Sequence, residues 1–121
     1  MKVGLLYIVM ISLSCQRTEL SGPGRIEDAY IADNNLMADG CENNVQLTMN
    51  DSSGNPTIYK PTPATLPVYL QALAMIPPVP NTILRAVKVR FTETGRQVEL
   101  LCGWGQKPKV NEIDLLEVRP R

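Results

Sequence analysis

The chain has 121 residues, enough for one domain with one core. Twelve lysines and arginines balance twelve acidic residues, so the composition carries no basic footprint for nucleic acid. Histidine is absent, which excludes Ser-His-Asp and Cys-His catalysis and every zinc site that uses histidine. Three widely spaced cysteines do not make a cysteine-only metal site either, and no metal or cofactor is expected.

Residues 1–14 (MKVGLLYIVMISLS) begin with Lys2 and continue as an apolar run from Val3 to Leu13. The run falls short of the roughly 20 residues that span a bilayer. It has the pattern of a secretory signal peptide. Cys15 follows at once, and here the chain resembles the signal of bacterial lipoproteins, in which a lipobox precedes the cysteine that becomes lipidated. Ser14 fits the small residue that this pattern wants before the cysteine, while Ser12 and Leu13 depart from it. Ser12 and Ser14 also fit ordinary signal cleavage, which would release a secreted, soluble protein with a free Cys15. Lipidation is the expected outcome. It implies a membrane anchor in the bacterial cell envelope, facing the periplasm or the exterior.

Cysteine parity agrees. An odd cysteine in an exported chain needs an explanation. With Cys15 lipidated, Cys41 and Cys102 remain as one pair, and an oxidising compartment favours their disulfide. The loop they close is worth roughly 4 kcal/mol in the chain-entropy account. No Cys-x-x-Cys redox motif is present.

Residues 15–24 are the expected lipidated cysteine and a tether to the domain: Gln16 to Gly24 is polar, with Gly22-Pro23-Gly24 at its end. The folded domain is expected over 25–121. Arg25 to Asp33 is a candidate strand. Asn44 to Met49 alternates, with Val45, Leu47 and Met49 on one face. Residues 57–60 (TIYK) complete a hairpin across the loop at 51–55. Thr65 is placed to cap a short helix with Pro67 in its first turn, and Pro77-Pro78 ends it. Its expected apolar side is Leu66, Tyr69, Leu70 and Leu73. Ile83 to Thr92 alternates clearly, and Glu93-Thr94-Gly95-Arg96 reads as a turn. Val98, Leu100, Cys102 and Trp104 share a face of the next strand. Val110 to Val118 is the last strand, and its apolar phase slips between Leu115 and Leu116, the mark of a bulge.

Short strands with one-sided apolar faces must close on themselves or pair two sheets. A single helix after the third strand is the order of an OB-type barrel. The expected fold is therefore mainly β, a small antiparallel OB-like barrel of five or six strands with one short helix, following the signal peptide. A two-sheet sandwich is the alternative. The segments DGC at 39–41, YKP at 59–61, VKVRF at 87–91, CGWG at 102–105 and VNEIDLLEV at 110–118 together resemble small uncharacterised envelope lipoproteins with one barrel domain. That resemblance implies fold and address, and no established activity.

Two roles fit Trp104 between its glycines: a cover for the core beside the cystine, which is the expected one, or a binding anchor. Lys88 and Arg90 project from one strand with Arg85, as a solvated face or an anion-binding one. Tyr59 and Lys60 flank the proline-rich segment with Tyr69. Together Trp104, Tyr59, Lys88 and Arg90 make the candidate binding surface. Glu112, Asp114 and Glu117 form no convincing acid/base pair, and a solvated strand edge accounts for the first two. The expected function is a non-enzymatic binding or interaction module of the envelope, with an envelope protein or glycan as partner and no nucleic acid. A disulfide-stapled structural or inhibitory protein is the alternative, and a hydrolase using carboxylates alone a more distant one.

Overall fold

The computed structural model describes residues 23–33, 40–50 and 52–121. The signal peptide expected at 1–14, Cys15 and residues 16–22 lie outside them. Five strands, β1 (Arg25–Ala32), β2 (Val45–Asn50), β3 (Pro56–Pro61), β4 (Leu84–Glu99) and β5 (Lys109–Pro120), close into a barrel in the order β1-β2-β3-β5-β4. Helix α1 (Leu66–Met75) connects β3 to β4. Neighbouring strands run antiparallel, except β3 and β5, which pair in parallel. This is the OB-type arrangement that the element order implied. Closure gives every strand a paired neighbour on each side, which an open sheet of this size could not do.

The interior follows from strand alternation. Val87, Val89 and Phe91 of β4 point inward with Ala29 and Ile31 of β1, Val45 and Leu47 of β2, Tyr59 of β3 and Ile113 and Leu115 of β5. Tyr69, Ala72 and Ile76 of α1 join the same core.

Three sequence expectations are corrected. Glu93–Arg96 is not a turn between two strands, because β4 runs through it to Glu99. Between Glu93 and Gln97 the register with β5 slips, so Thr94, Gly95 and Arg96 stand opposite Glu112 alone. Gly95 takes φ 88° there, a conformation open to glycine at no steric cost. The turn chemistry was present, but β5 kept pairing on both sides of it. Met49, expected inside, is 69% exposed, since the β2–β3 register also slips between Gln46 and Asn50. Of the apolar side expected for α1, Tyr69 is buried and Leu66 and Leu73 pack against the core, but Leu70 is 46% exposed.

Other expectations hold. The slip near Leu115–Leu116 is real: Arg90 pairs with Glu117 and Phe91 with Leu115, leaving Leu116 as the extra residue. Thr65 is the helix N-cap residue, with proline in the first turn, although its hydroxyl makes no cap bond. Instead that hydroxyl accepts the Leu115 amide at 3.0 Å, tying the helix start to β5. The Tyr69 hydroxyl donates to the Ala32 carbonyl at 2.6 Å and accepts its amide at 3.1 Å. That pair of bonds locks α1 to the end of β1. Gly24, with φ 101°, leads into β1; a Cβ there would meet the Phe91 carbonyl oxygen at 2.7 Å.

Candidate functional site

Two loops meet at one place on the barrel. One joins β1 to β2 and carries Cys41; the other joins β4 to β5 and carries Cys102. The two cysteines are bonded, as parity implied, across a sequence separation of 61. Backbone bonds reinforce the junction. The Glu42 amide donates to the Leu101 carbonyl (2.8 Å), the Gly103 amide to the Gly40 carbonyl (2.7 Å) and the Cys102 amide to the Gln106 carbonyl (2.8 Å). Cys102 is 8% exposed, so the bridge is shielded as expected of a core-side cysteine.

Glu42 sits beneath this junction. Its carboxylate accepts the Leu101 amide at 2.7 Å and the Lys60 ammonium at 2.8 Å, and Lys60 also donates to the Glu99 carbonyl at 3.1 Å. Burial pushes the Glu42 carboxyl up, but the Leu101 amide and Lys60 outweigh burial and hold it below its ordinary value. A lowered folded value has a definite sign. The contribution is complete above the unfolded carboxyl's titration, near pH 4.3, and is lost as pH falls through the folded value. Replacing Glu42→Gln is therefore expected to destabilise the domain at neutral pH, with the two denaturation midpoints converging in acid. A gap that stays constant from neutral pH down to strong acid would show that Glu42 is not the titrating link.

The tip of the β4–β5 loop is Gly103-Trp104-Gly105, a single 3-10 turn. Trp104 is 85% exposed and takes φ 65°, the left-handed region. The expectation that it covers the core is overturned. Alternation would have put it inward with Cys102, but β4 ends at Glu99, and the turn rotates the ring outward. Left-handed backbone at a bulky residue costs of order 1–3 kcal/mol, and it persists where the surroundings impose it. Here the disulfide and three backbone bonds do so. At the base of the same loop, a groove of about 420 Å³ runs between β3 (Pro56, Thr57, Ile58) and Leu100, Pro108 and Lys109, reaching Cys41. Asn111 and Gln97 line its far wall, with the Gln97 amide donating to Asn111 at 3.3 Å.

The other candidate residues are not brought together with Trp104. Tyr59 is 4% exposed, its ring inside the barrel 5.1 Å from that of Phe91. Its hydroxyl accepts from Arg25 at 3.1 Å and donates to Glu93 at 3.3 Å. Burial pushes this phenol up, against the Arg25 charge. Lys88 and Arg90 lie on the outer face of β4. Lys88 pairs with Asp28 at 2.7 Å, and Arg90 with Glu117 at 2.9 Å and the Pro23 carbonyl at 2.7 Å. Both have their charges answered by the domain itself.

Glu112 departs from the solvated edge expected of it. It is 6% exposed and accepts from Thr94 at 3.0 Å and from two nitrogens of Arg96. The bulge in β4 is what turns both donors toward it. Asp114 accepts from Thr62 at 3.0 Å, and Glu117 from Arg90. Each of these carboxylates thus has a partner that holds the fold. Among the described residues no group of three or more His, Cys, Asp or Glu side chains is placed to hold a metal ion. No protein-family model, curated protein or solved structure matches the chain.

Proposed function

We propose that this chain is a non-enzymatic binding module of the bacterial cell envelope, anchored as a lipoprotein through Cys15. Its partner is an envelope protein or glycan, met at the disulfide-clamped tip. One observation carries the reading: an 85% exposed tryptophan, held in left-handed backbone by a cross-link between two loops, on a loop whose base lines a 420 Å³ groove. A large aromatic fixed in this way supplies contact area at little further entropic cost on binding. Solvating it alone would leave the backbone cost unreturned. The barrel type supports the same place, because the loops joining strands 1 to 2 and 4 to 5 flank the ligand face of OB folds. The Cys41–Cys102 bridge supports the address, since such bonds persist in oxidising compartments.

The test is photo-crosslinking in intact cells with a reactive side chain at position 104, and at Asn55 for comparison. A discrete adduct is expected from 104 alone, competed away by excess purified protein. Trp104→Ala is expected to lose that competition by about 30-fold, the effect of removing a central aromatic anchor. Adducts that are diffuse, or equal from both positions, would sink the reading.

A further inference from the structure

No charged residue occurs between Lys60 and Arg85, so all of α1 and the loop after it are uncharged. This stretch is nevertheless largely on the surface. Met75 is 72% exposed, Leu70 46%, and Val79, Ile83 and Leu84 are also exposed. Between α1 and the end of β5 lies a groove of about 430 Å³ lined mainly by apolar residues, Val68, Ala72, Met75, Leu116 and Val118 among them, with Gln71 and Glu117 also on its wall.

Several backbone groups of the stretch are satisfied by side chains and backbone close to it. The Arg85 side chain, only 12% exposed, donates to the carbonyls of Leu73, Ile76 and Ile83. Its charge is answered by Asp33 at 3.2 Å. In the loop, the Val79 amide donates to the Leu84 carbonyl (2.7 Å) and the Thr82 hydroxyl to the Val79 carbonyl (2.9 Å). Helix-terminal and loop carbonyls ordinarily look for water. Here a buried arginine and a threonine take that role, which suits an environment poor in water.

The described chain enters beside this surface. One guanidinium, Arg90, holds both the Pro23 carbonyl and Glu117, and Glu117 lines the groove. Residues 15–22 extend at most about 26–29 Å. A lipid on Cys15 would therefore keep a bilayer within that distance of the groove's edge.

We propose that the uncharged face of α1, its groove with β5 and the loop to Leu84 rest on the lipid surface, at the boundary of headgroups and acyl chains. This rests on the reading of Cys15 as the anchor. The helix and loop side of this face carries no charge, and the groove's one carboxylate, Glu117, is already paired with Arg90; a bilayer is the occupant that asks for such an apolar face, whereas protein partners meet a polar, charged rim. Exposed apolar patches of this kind mark interaction surfaces in general, and the adjacent tether selects lipid.

The test uses the full chain purified from its native membrane into vesicles of phosphatidylethanolamine with a minor fraction of phosphatidylglycerol. Met75→Trp in a Trp104→Phe background places one reporter on the face, and the unmodified chain reports from the tip. Lipids brominated on the acyl chain are expected to halve, roughly, the emission from position 75 and to leave the tip little changed. Adding Leu70→Glu and Gln71→Glu, both at solvent-facing positions, is expected to remove that quenching while the chain stays vesicle-bound. Intact mass reads Cys15 acylation in the same samples. An acylated, vesicle-bound chain without quenching overturns the proposal and leaves the anchor intact. Quenching without acylation upholds the face and discards the anchor; neither signal discards both. A blue shift without quenching, at twice the monomer mass, gives the face to a second copy and overturns the proposal.

Discussion

Reducing the Cys41–Cys102 bridge is expected to lower the unfolding free energy by about 4 kcal/mol. The magnitude comes from the loop that the bridge closes, with its sequence separation of 61. Cross-linking across such a distance removes that much conformational freedom from the unfolded chain. A domain of this size is typically stable by about 5–15 kcal/mol, so the reduced protein should sit near the edge of folding. Guanidinium denaturation with and without reductant measures the difference, and Cys41→Ser with Cys102→Ser should reproduce it. The tip should respond before the barrel does. Without the bridge, the Glu42, Gly103 and Cys102 amide bonds remain to hold Trp104 in its left-handed turn. Amide exchange at residues 101–106 should therefore accelerate at reductant levels that leave the barrel strands protected. A loss below about 1 kcal/mol would mean that the two loops are held together without the bond.

Phe91→Ala is expected to cost about 3–5 kcal/mol. Phe91 is 1% exposed, lies against the Tyr59 ring at 5.1 Å, and has the Arg25 guanidinium 5.0 Å from its centroid. Its backbone also borders Gly24, just before β1. Truncation leaves a cavity among strands already committed to one another by barrel closure, so the site has little freedom to collapse. Phe91→Leu retains most of the volume and should cost less than about 1.5 kcal/mol. The two variants separate packing from backbone effects, because both keep the β4 hydrogen bonds. Equal losses for the two would show that the ring's specific contacts, and not the cavity, carry the energy. Thermal or denaturant unfolding with an unchanged slope is the measurement.

Several features were legible in the sequence because they are local. Alternation over Val87–Phe91 identified the inner face of β4, since side chains on a strand change sides at every residue. The phase slip at Leu115–Leu116 located the β5 bulge for the same reason. Thr65 and Pro67 marked the helix start, and parity among three cysteines paired Cys41 with Cys102. Other features depend on partners far along the chain. Thr94-Gly95-Arg96 has the chemistry of a turn, yet it became a bulge because Gln97–Glu99 found Lys109–Asn111. Glu112 looked like a solvated carboxylate until that bulge delivered Arg96 and Thr94 to it. Leu70, expected to face inward with Tyr69, is instead exposed, while the Tyr69 hydroxyl bonds the Ala32 backbone from the interior.

By itself, the order of residues determined the barrel class, the single helix between β3 and β4, and the disulfide, because periodicity, capping chemistry and cysteine count act over short stretches. It also contained the uncharged run between Lys60 and Arg85, though not the fact that this run lies outside. Tertiary structure alone decided which faces meet solvent: it turned Trp104 outward, drew Tyr59 in and packed α1 against β5. Those outcomes follow from barrel closure and loop cross-linking, which join residues dozens of positions apart and fix directions that no local pattern encodes.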